Sequence, residues 1–241
     1  MRKSSKLFLV AAMVCFVMMA FNSNSILADD EVELKILKKV KSIEKIVKKG
    51  CKKSVPKTGQ TTCYDETGTV IPCAGTGQDG DLQIGRQWPE PRFTDIGDGT
   101  VKDNLTGLVW LQDTNCIDTH YSGFDNDDTV ADGQVFWQHA LDFVTGINDG
   151  TYPNCGAGFT DWRLPNIREI VSLADYGNHG PALPNGHPFV NVGLDAEGYW
   201  TSTTVHNHAY GAWWTACGIW ATRNGNKTTE THHTWPVRSG K

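Results

Sequence analysis

The run from Phe93, FTDIGDGTVKDNLTGLVWLQD, is the part of this chain with the fewest ways to fold. Asp98-Gly99 and Asn104 to Gly107 are turn signals set so close together that the β-prone runs around them hold only a few residues each. Gly99 and Gly107 supply the positive φ such turns need, a conformation their Asp and Asn neighbours also tolerate. Runs joined this tightly have no room for a crossover, so they pair antiparallel as a three-stranded meander. Val109 and Leu111 then share one face of the last run and Trp110 takes the other.

Helical periodicity interrupts this pattern twice. Phe136, Ala140, Phe143 and Ile147 fall on one face and predict a helix from about Gln134 to Ile147. A second helix starts at Asn166, where Asn166 and Glu169 form a capping-box-like pair ahead of Ile167, Ile170, Val171 and Ala174. Tyr176 to Gly198 reads as a long loop of Gly, Pro, Asn and His, and loops of that length are usually functional or disordered. β-runs return in YWTSTT, AWWTACGIWAT and KTTETHHTWPVR. Asn224-Gly225 between the last two predicts a hairpin turn. Strands, two helices, a long loop and strands again make an α+β head.

The N-terminus reads as a secretory signal: basic Arg2, Lys3 and Lys6, an apolar run from Leu7 to Phe21, then NSNS and Ala28 before Asp29. A membrane anchor is the alternative, but the apolar run is shorter than the roughly 20 residues that cross a bilayer, so cleavage is expected after Ala28, with Ser25 as the alternative end, and no membrane span is left in the mature chain. Val14 is too large for a lipobox before Cys15. Export leaves Cys51, Cys63, Cys73, Cys116, Cys155 and Cys217 of the seven cysteines, and an even count in an oxidising compartment favours disulfides. Cys63 and Cys73 flank DETGTVIP, which can fold back as a hairpin, and Cys116 and Cys155 sit in polar loops around the first helix; these two pairs are expected. Cys51 and Cys217 stay open between a mutual bridge, reduced burial and, for Cys51, a cross-link between chains.

Charge divides the chain where composition alone does not. Overall net charge is -5. From Asp29 to Lys57, ten lysines face five carboxylates, a net +5; from Thr58 onward, nine Lys and Arg face 22 carboxylates, a net -13. An acidic head is poorly suited to polyanions, which excludes nucleic acid as a general partner. The basic part holds Ile36, Val40, Ile43 and Val47 at coiled-coil spacing, with Leu37 and Ile46 widening the stripe. Three readings of this helix stay open: packing on its own head, homo-oligomerisation through residues 36–47, or cationic anchoring by Lys38, Lys39, Lys48, Lys49, Lys52 and Lys53. The expected organisation is a signal at 1–28, a basic amphipathic helix or short coiled-coil neck at 29–50, a disulfide-tied Gly/Pro/Thr-rich loop region at 51–92 and the head at 93–241.

Four motifs in order, the run from Phe93, DWRLPNIREI from Asp161, YWTSTT from Tyr199 and WPVRSG from Trp235, resemble the Lcl C-terminal domain family of bacteria. More distantly, the WRLP helix entry and the closing Val-Arg-small-Gly are similar to formylglycine-generating enzymes and C-type-lectin-like folds. The resemblance implies a C-type-lectin-like head of short antiparallel strands, two helices and long loops, preceded by the amphipathic helix. It also implies a secreted or surface-associated binding protein located in the periplasm, at the cell surface or outside the cell, an adhesin or recognition module for an extracellular glycan or protein. One adhesin of the family is associated with sulfated polysaccharides; in this chain the acidic head leaves such contacts to the neck lysines. Fold alone does not select the function, and a structural envelope protein with a protein partner, or a metal-assisted enzyme, stand as alternatives.

Candidate chemistry is sparse. Asp125, Asp127, Asp128 and Asp132 offer hard oxygen ligands of the kind calcium takes, yet no glutamate closes the loop as in an EF-hand; a solvated acidic loop is the competing reading. His206, His208, His232 and His233 fall short of a zinc set, which needs three or four converging ligands. No nucleophile elbow accompanies Ser and His in TSTTVHNH, and Cys217 alone does not reproduce the reactive cysteines of formylglycine-generating enzymes, so a non-enzymatic protein is expected. Aromatic rings that stack on sugars beside groups that bond hydroxyls occur late in the chain. The candidate ligand-binding residues are therefore His206, Asn207, His208, Tyr210, Trp214, Arg223, Asn224 and Lys227.

Overall fold

The computed structural model describes residues 36–42, 55–124, 127, 129, 132–193 and 198–240. Two compact units divide the chain at Lys53/Ser54. In the first, residues 36–42 are helical (α1), and Ile36, Leu37 and Val40 are exposed along it. Lys38 and Lys39 are exposed on the same helix. The signal segment, Ile43 to Val47, Lys48, Lys49, Cys51, Lys52 and Lys53 lie outside the described residues. Among those described, no helix is long and apolar enough to cross a membrane.

The second unit opens with a small hairpin, β1 (Cys63–Tyr64) and β2 (Val70–Ile71), paired antiparallel. Asp65 ties its turn by accepting the backbone N–H groups of Thr67 and Thr69, each at 2.9 Å. The Cys63–Cys73 disulfide closes it. A short helix α2 (Asp79–Leu82) packs beside it, close enough that a Cβ on Gly80 would lie 2.9 Å from the Cys63 sulfur.

The meander forms as expected from β3 (Phe93–Asp95), β4 (Thr100–Asp103) and β5 (Leu108–Leu111). Asp98 accepts the Thr100 N–H and hydroxyl at 3.0 and 2.6 Å, and Gly99 takes φ +88°. The C-terminal strand β11 (Val237–Ser239) adds to the free side of β5, giving the order β11-β5-β4-β3. With β5 inside this sheet, Val109, Trp110 and Leu111 are all buried. Trp235 packs edge-on against Trp110 at 5.4 Å and donates its indole N–H to the Leu111 carbonyl at 2.9 Å.

Helix α3 (Cys116–Tyr121) follows, and the Cys116–Cys155 bridge spans the next helix, α4 (Trp137–Asn148). That helix begins three residues later than periodicity predicted, because Val135 and Phe136 form a strand, β6, with β10 (Thr231–His232). Pairing with a distant segment overrides local helical preference there. Helix α5 (Ile167–Val171) starts as expected. The Asn166 side chain accepts the Arg168 and Glu169 N–H groups at 2.9 and 3.0 Å, and Glu169 returns the bond to the Asn166 N–H at 2.8 Å. Arg163 grips the same carboxylate with both guanidinium nitrogens at 2.7 and 2.8 Å. Its hydrogen bonds and charge hold the Glu169 carboxyl below the usual range, against a burial penalty that acts the other way.

A second sheet, order β7-β8-β9, contains β7 (Gly198–Thr204), β8 (Gly211–Ala216) and β9 (Ala221–Asn226). Here the expected hairpin turn is displaced. Asn224 and Gly225 lie within β9, opposite Trp213 and Ala212, and the β8–β9 turn is Cys217 to Trp220. Gly225 serves packing instead: a Cβ there would sit 2.9 Å from the Trp214 indole nitrogen. Trp220 adopts φ +51° in the turn and donates its indole N–H to the Ala182 carbonyl. The long loop docks on this turn through Ala182 N–H to Cys217 O at 2.9 Å, with Ala182, Leu183 and Phe189 buried. Cys217 is a fully buried free thiol, and burial pushes its pKa far up. The architecture is α+β, with few short helices and small antiparallel sheets.

Candidate functional site

The β7–β8 connection, residues 205–210, displays His206, Asn207, His208 and Tyr210, all exposed. Its base is fastened by backbone bonds from Val205 N–H to Gly211 O and from Gly211 N–H to His208 O, at 3.0 and 2.7 Å. Lys227 completes the fastening. Its ammonium donates to the Thr204 hydroxyl at 2.9 Å and the Ala209 carbonyl at 3.1 Å, and lies 4.1 Å from the Trp137 ring centroid. Lys227 was expected to face a ligand; its charge is committed to the loop, so it acts as a positioning residue. Tyr210 stands edge-on to His208 at 5.6 Å.

Arg223 and Asn224 are exposed on β9, which is an edge strand. Trp214, expected as a stacking ring, is buried at 7% exposure. Glycines make room for it on both sides: a Cβ on Gly198 would fall 2.3 Å from its ring, and one on Gly225 2.9 Å. His232 covers it at 4.1 Å and also meets Trp200 at 4.5 Å. Burial, and secondarily the neighbouring His233, lower the His232 pKa to about 3, so the ring is neutral at pH 7. Trp214 is a core residue. The histidines likewise separate into an exposed pair on the loop and a buried pair around β10.

Of the acidic loop, Asp125 and Asp128 lie outside the described residues. Asp127 accepts the Thr129 N–H at 2.9 Å, and Asp132 accepts the N–H and side-chain amide of Gln134 at 2.8 and 3.1 Å. Those are turn contacts. Among the described residues, one grouping brings metal-type ligand atoms within 4.8 Å of one another: Asp113, Cys116 and His120. Cys116 is bonded to Cys155, which leaves two ligands where structural zinc takes four.

Two recesses that share Trp88 and Gln87 open beside the 55–92 segment. One, about 200 Å³, includes Thr58, Gln60 and Gln83; the other, about 230 Å³, includes Pro91, Asn185 and His187. Between them Trp88 is half-buried. Its indole N–H donates to the Lys57 carbonyl at 3.0 Å. Sequence reasoning passed over this place, because its parts come from a Gly/Pro/Thr-rich stretch and from a loop about 100 positions away. Trp88 standing alone among polar and proline residues was the available signal.

Arg92, in the lining of the second recess, forms a buried ion pair with Asp103 and donates to the Ser172 carbonyl at 2.8 Å. Asp103 also accepts the Leu105 N–H at 2.7 Å and the Thr106 hydroxyl at 2.5 Å. Burial lowers the Arg92 pKa, with the Asp103 charge opposing it.

These features define a disulfide-bridged α+β domain that presents a hydrogen-bonded loop and two small recesses on a tryptophan-rich core. Residues 99–238 match the Lcl C-terminal domain, and the chain belongs to that family. No curated protein matches the chain. The family match begins beyond Trp88, so the first recess lies wholly outside the matched span and the second combines family sequence with a segment outside it.

Proposed function

We propose that this is an exported, non-enzymatic recognition protein, an adhesin or ligand-binding module whose C-type-lectin-like head binds an extracellular glycan or protein. The observation that carries the reading is the 205–210 loop, where His206, Asn207, His208 and Tyr210 are exposed while Lys227 and backbone bonds fix the base. Preorganised exposed side chains bind with little ordering cost. The lectin-like reading is supported by the late strand β11 returning beside β5, by the long packed loop and by the separate three-stranded sheet. The buried Cys217 thiol, pushed away from its reactive form, supports a head without thiol chemistry.

Oligomerisation through residues 36–47 is part of the proposal, and the exposed Ile36, Leu37 and Val40 are the portion of that stripe in view. Lys38 and Lys39 on the same helix, with the further neck lysines, are the proposed polyanion contacts.

The test is a glycan array probed with the secreted chain and with Ser54–Lys241, each with and without chelator. Glycan binding by the head supports the recognition reading, and chelator sensitivity of that binding would favour a metal-dependent lectin. A blank array in every arm would instead favour a structural envelope protein with a protein partner. Equal monomer masses of the two chains in light scattering would remove the oligomerising neck.

A further inference from the structure

We propose that the paired recesses beside Trp88 bind a short neutral oligosaccharide, with the indole as the platform for one sugar ring. The inference rests on the recognition reading of the head and adds a ligand class and a seat apart from the 205–210 loop.

Size comes first. At about 200 and 230 Å³, each recess lies below the ~300 Å³ at which pockets for drug-sized ligands begin. Each suits a single ring rather than a cofactor, and the shared Trp88 wall joins them for a chain of rings.

Rigidity comes second. The Trp88 N–H is held by Lys57 O, and Gly59, at φ +90°, runs so close that a Cβ there would meet the ring at 2.6 Å. The Arg92 guanidinium lies over the ring at 5.7 Å from its centroid, and an aromatic ring held this way yet still partly exposed offers contact area at low entropic cost.

Polarity selects the ligand. Among the described residues the side chains of Gln60, Gln87 and Asn185 make no hydrogen bond within the protein, and an amide both donates and accepts, as a sugar hydroxyl does. Charge is nearly absent. Lys57 contacts Gln83 at 3.3 Å, Arg92 is neutralised by Asp103, and burial lowers the His187 pKa so that the ring is neutral at pH 7. Glu90 is the remaining carboxylate. Such a lining lacks the clustered cations that hold sulfated chains. A proline-rich peptide fits less well, since its grooves use several aromatic rings and Trp88 is the one indole lining these recesses.

The experiment titrates the full secreted chain with neutral gluco-, manno- and chito-oligosaccharides of two to four units, with a heparin fragment and an oligoproline peptide as controls. Binding is read by calorimetry. At least one neutral series should bind, Trp88→Ala should weaken it tenfold or more, Trp88→Phe should restore most of the affinity, and Gln87→Ala, on an exposed side chain, should weaken it about threefold with an unchanged melting temperature. The proposal is overturned if no neutral series binds, if both Trp88→Ala and Gln87→Ala bind as the parent does, or if heparin or oligoproline takes the site in preference. Loss with Tyr210→Ala and none with Trp88→Ala overturns this seat while sparing the recognition reading.

Discussion

Removing the Asp103 carboxylate tests how the sheet and the Trp88 wall are joined. Asp103 is fully buried and holds Arg92, the Leu105 N–H and the Thr106 hydroxyl; Arg92 is 6% exposed and reaches the Ser172 carbonyl after α5. Asp103→Ala leaves a guanidinium in the interior with one acceptor in place of two. An uncompensated buried charge costs about 3 to 5 kcal/mol, roughly a fifth or more of the ~5 to 15 kcal/mol that keeps a typical domain folded. Replacing both partners by apolar residues, Arg92→Met with Asp103→Leu, removes the charge and its desolvation together and should recover most of that loss. Urea unfolding followed by tryptophan fluorescence, disulfides intact, gives each free energy. A cost for Asp103→Ala below about 1 kcal/mol, or a double variant no more stable than the single one, would refute the reasoning.

Four further outcomes follow from single contacts. Asn166→Ala should cost about 1 kcal/mol by opening the capping box, read by urea midpoint. Gly225→Ala should destabilise by about 1 to 3 kcal/mol, because the new methyl enters the Trp214 ring; an unchanged midpoint would restore the turn reading of Asn224-Gly225. His232, with its folded pKa about 3, binds fewer protons folded than unfolded. Stability should therefore be unaffected by this group above the unfolded value near pH ~6.5 and fall by up to about 1.4 kcal/mol per pH unit below it, down to the folded pKa. His232→Phe should flatten that slope in thermal scans across pH 4 to 8. Removing the Cys116–Cys155 bridge, which spans 39 residues, should cost about 4 kcal/mol against about 3 kcal/mol for Cys63–Cys73, which spans 10, measured on paired Cys→Ser variants.

The parts legible from sequence are those whose cause is local. The meander follows from Asp98-Gly99 and Gly107, the α5 start from Asn166 and Glu169, and the two disulfides from cysteines that flank one hairpin and one helix. The misreadings arise where a distant partner decides. Gly225 is small because Trp214 presses on it, Val135 leaves the helix because His232 pairs with it, and Trp214 is buried between two glycines and His232. The candidate site divides the same way. Exposure of His206 to Tyr210 could be expected from a polar loop. The recruitment of Lys227 to fasten that loop, and the meeting of Trp88 with Asn185 and His187, depend on contacts across the fold that no spacing encodes.

The most direct test of the account is an array of neutral and sulfated glycans probed with the secreted chain, with Ser54–Lys241, and with the Trp88→Ala and Tyr210→Ala variants. The account predicts neutral-glycan signal that the head alone retains and that at least one of the two variants loses. A blank array, or signal confined to sulfated glycans and lost when the α1 segment is removed, would contradict it.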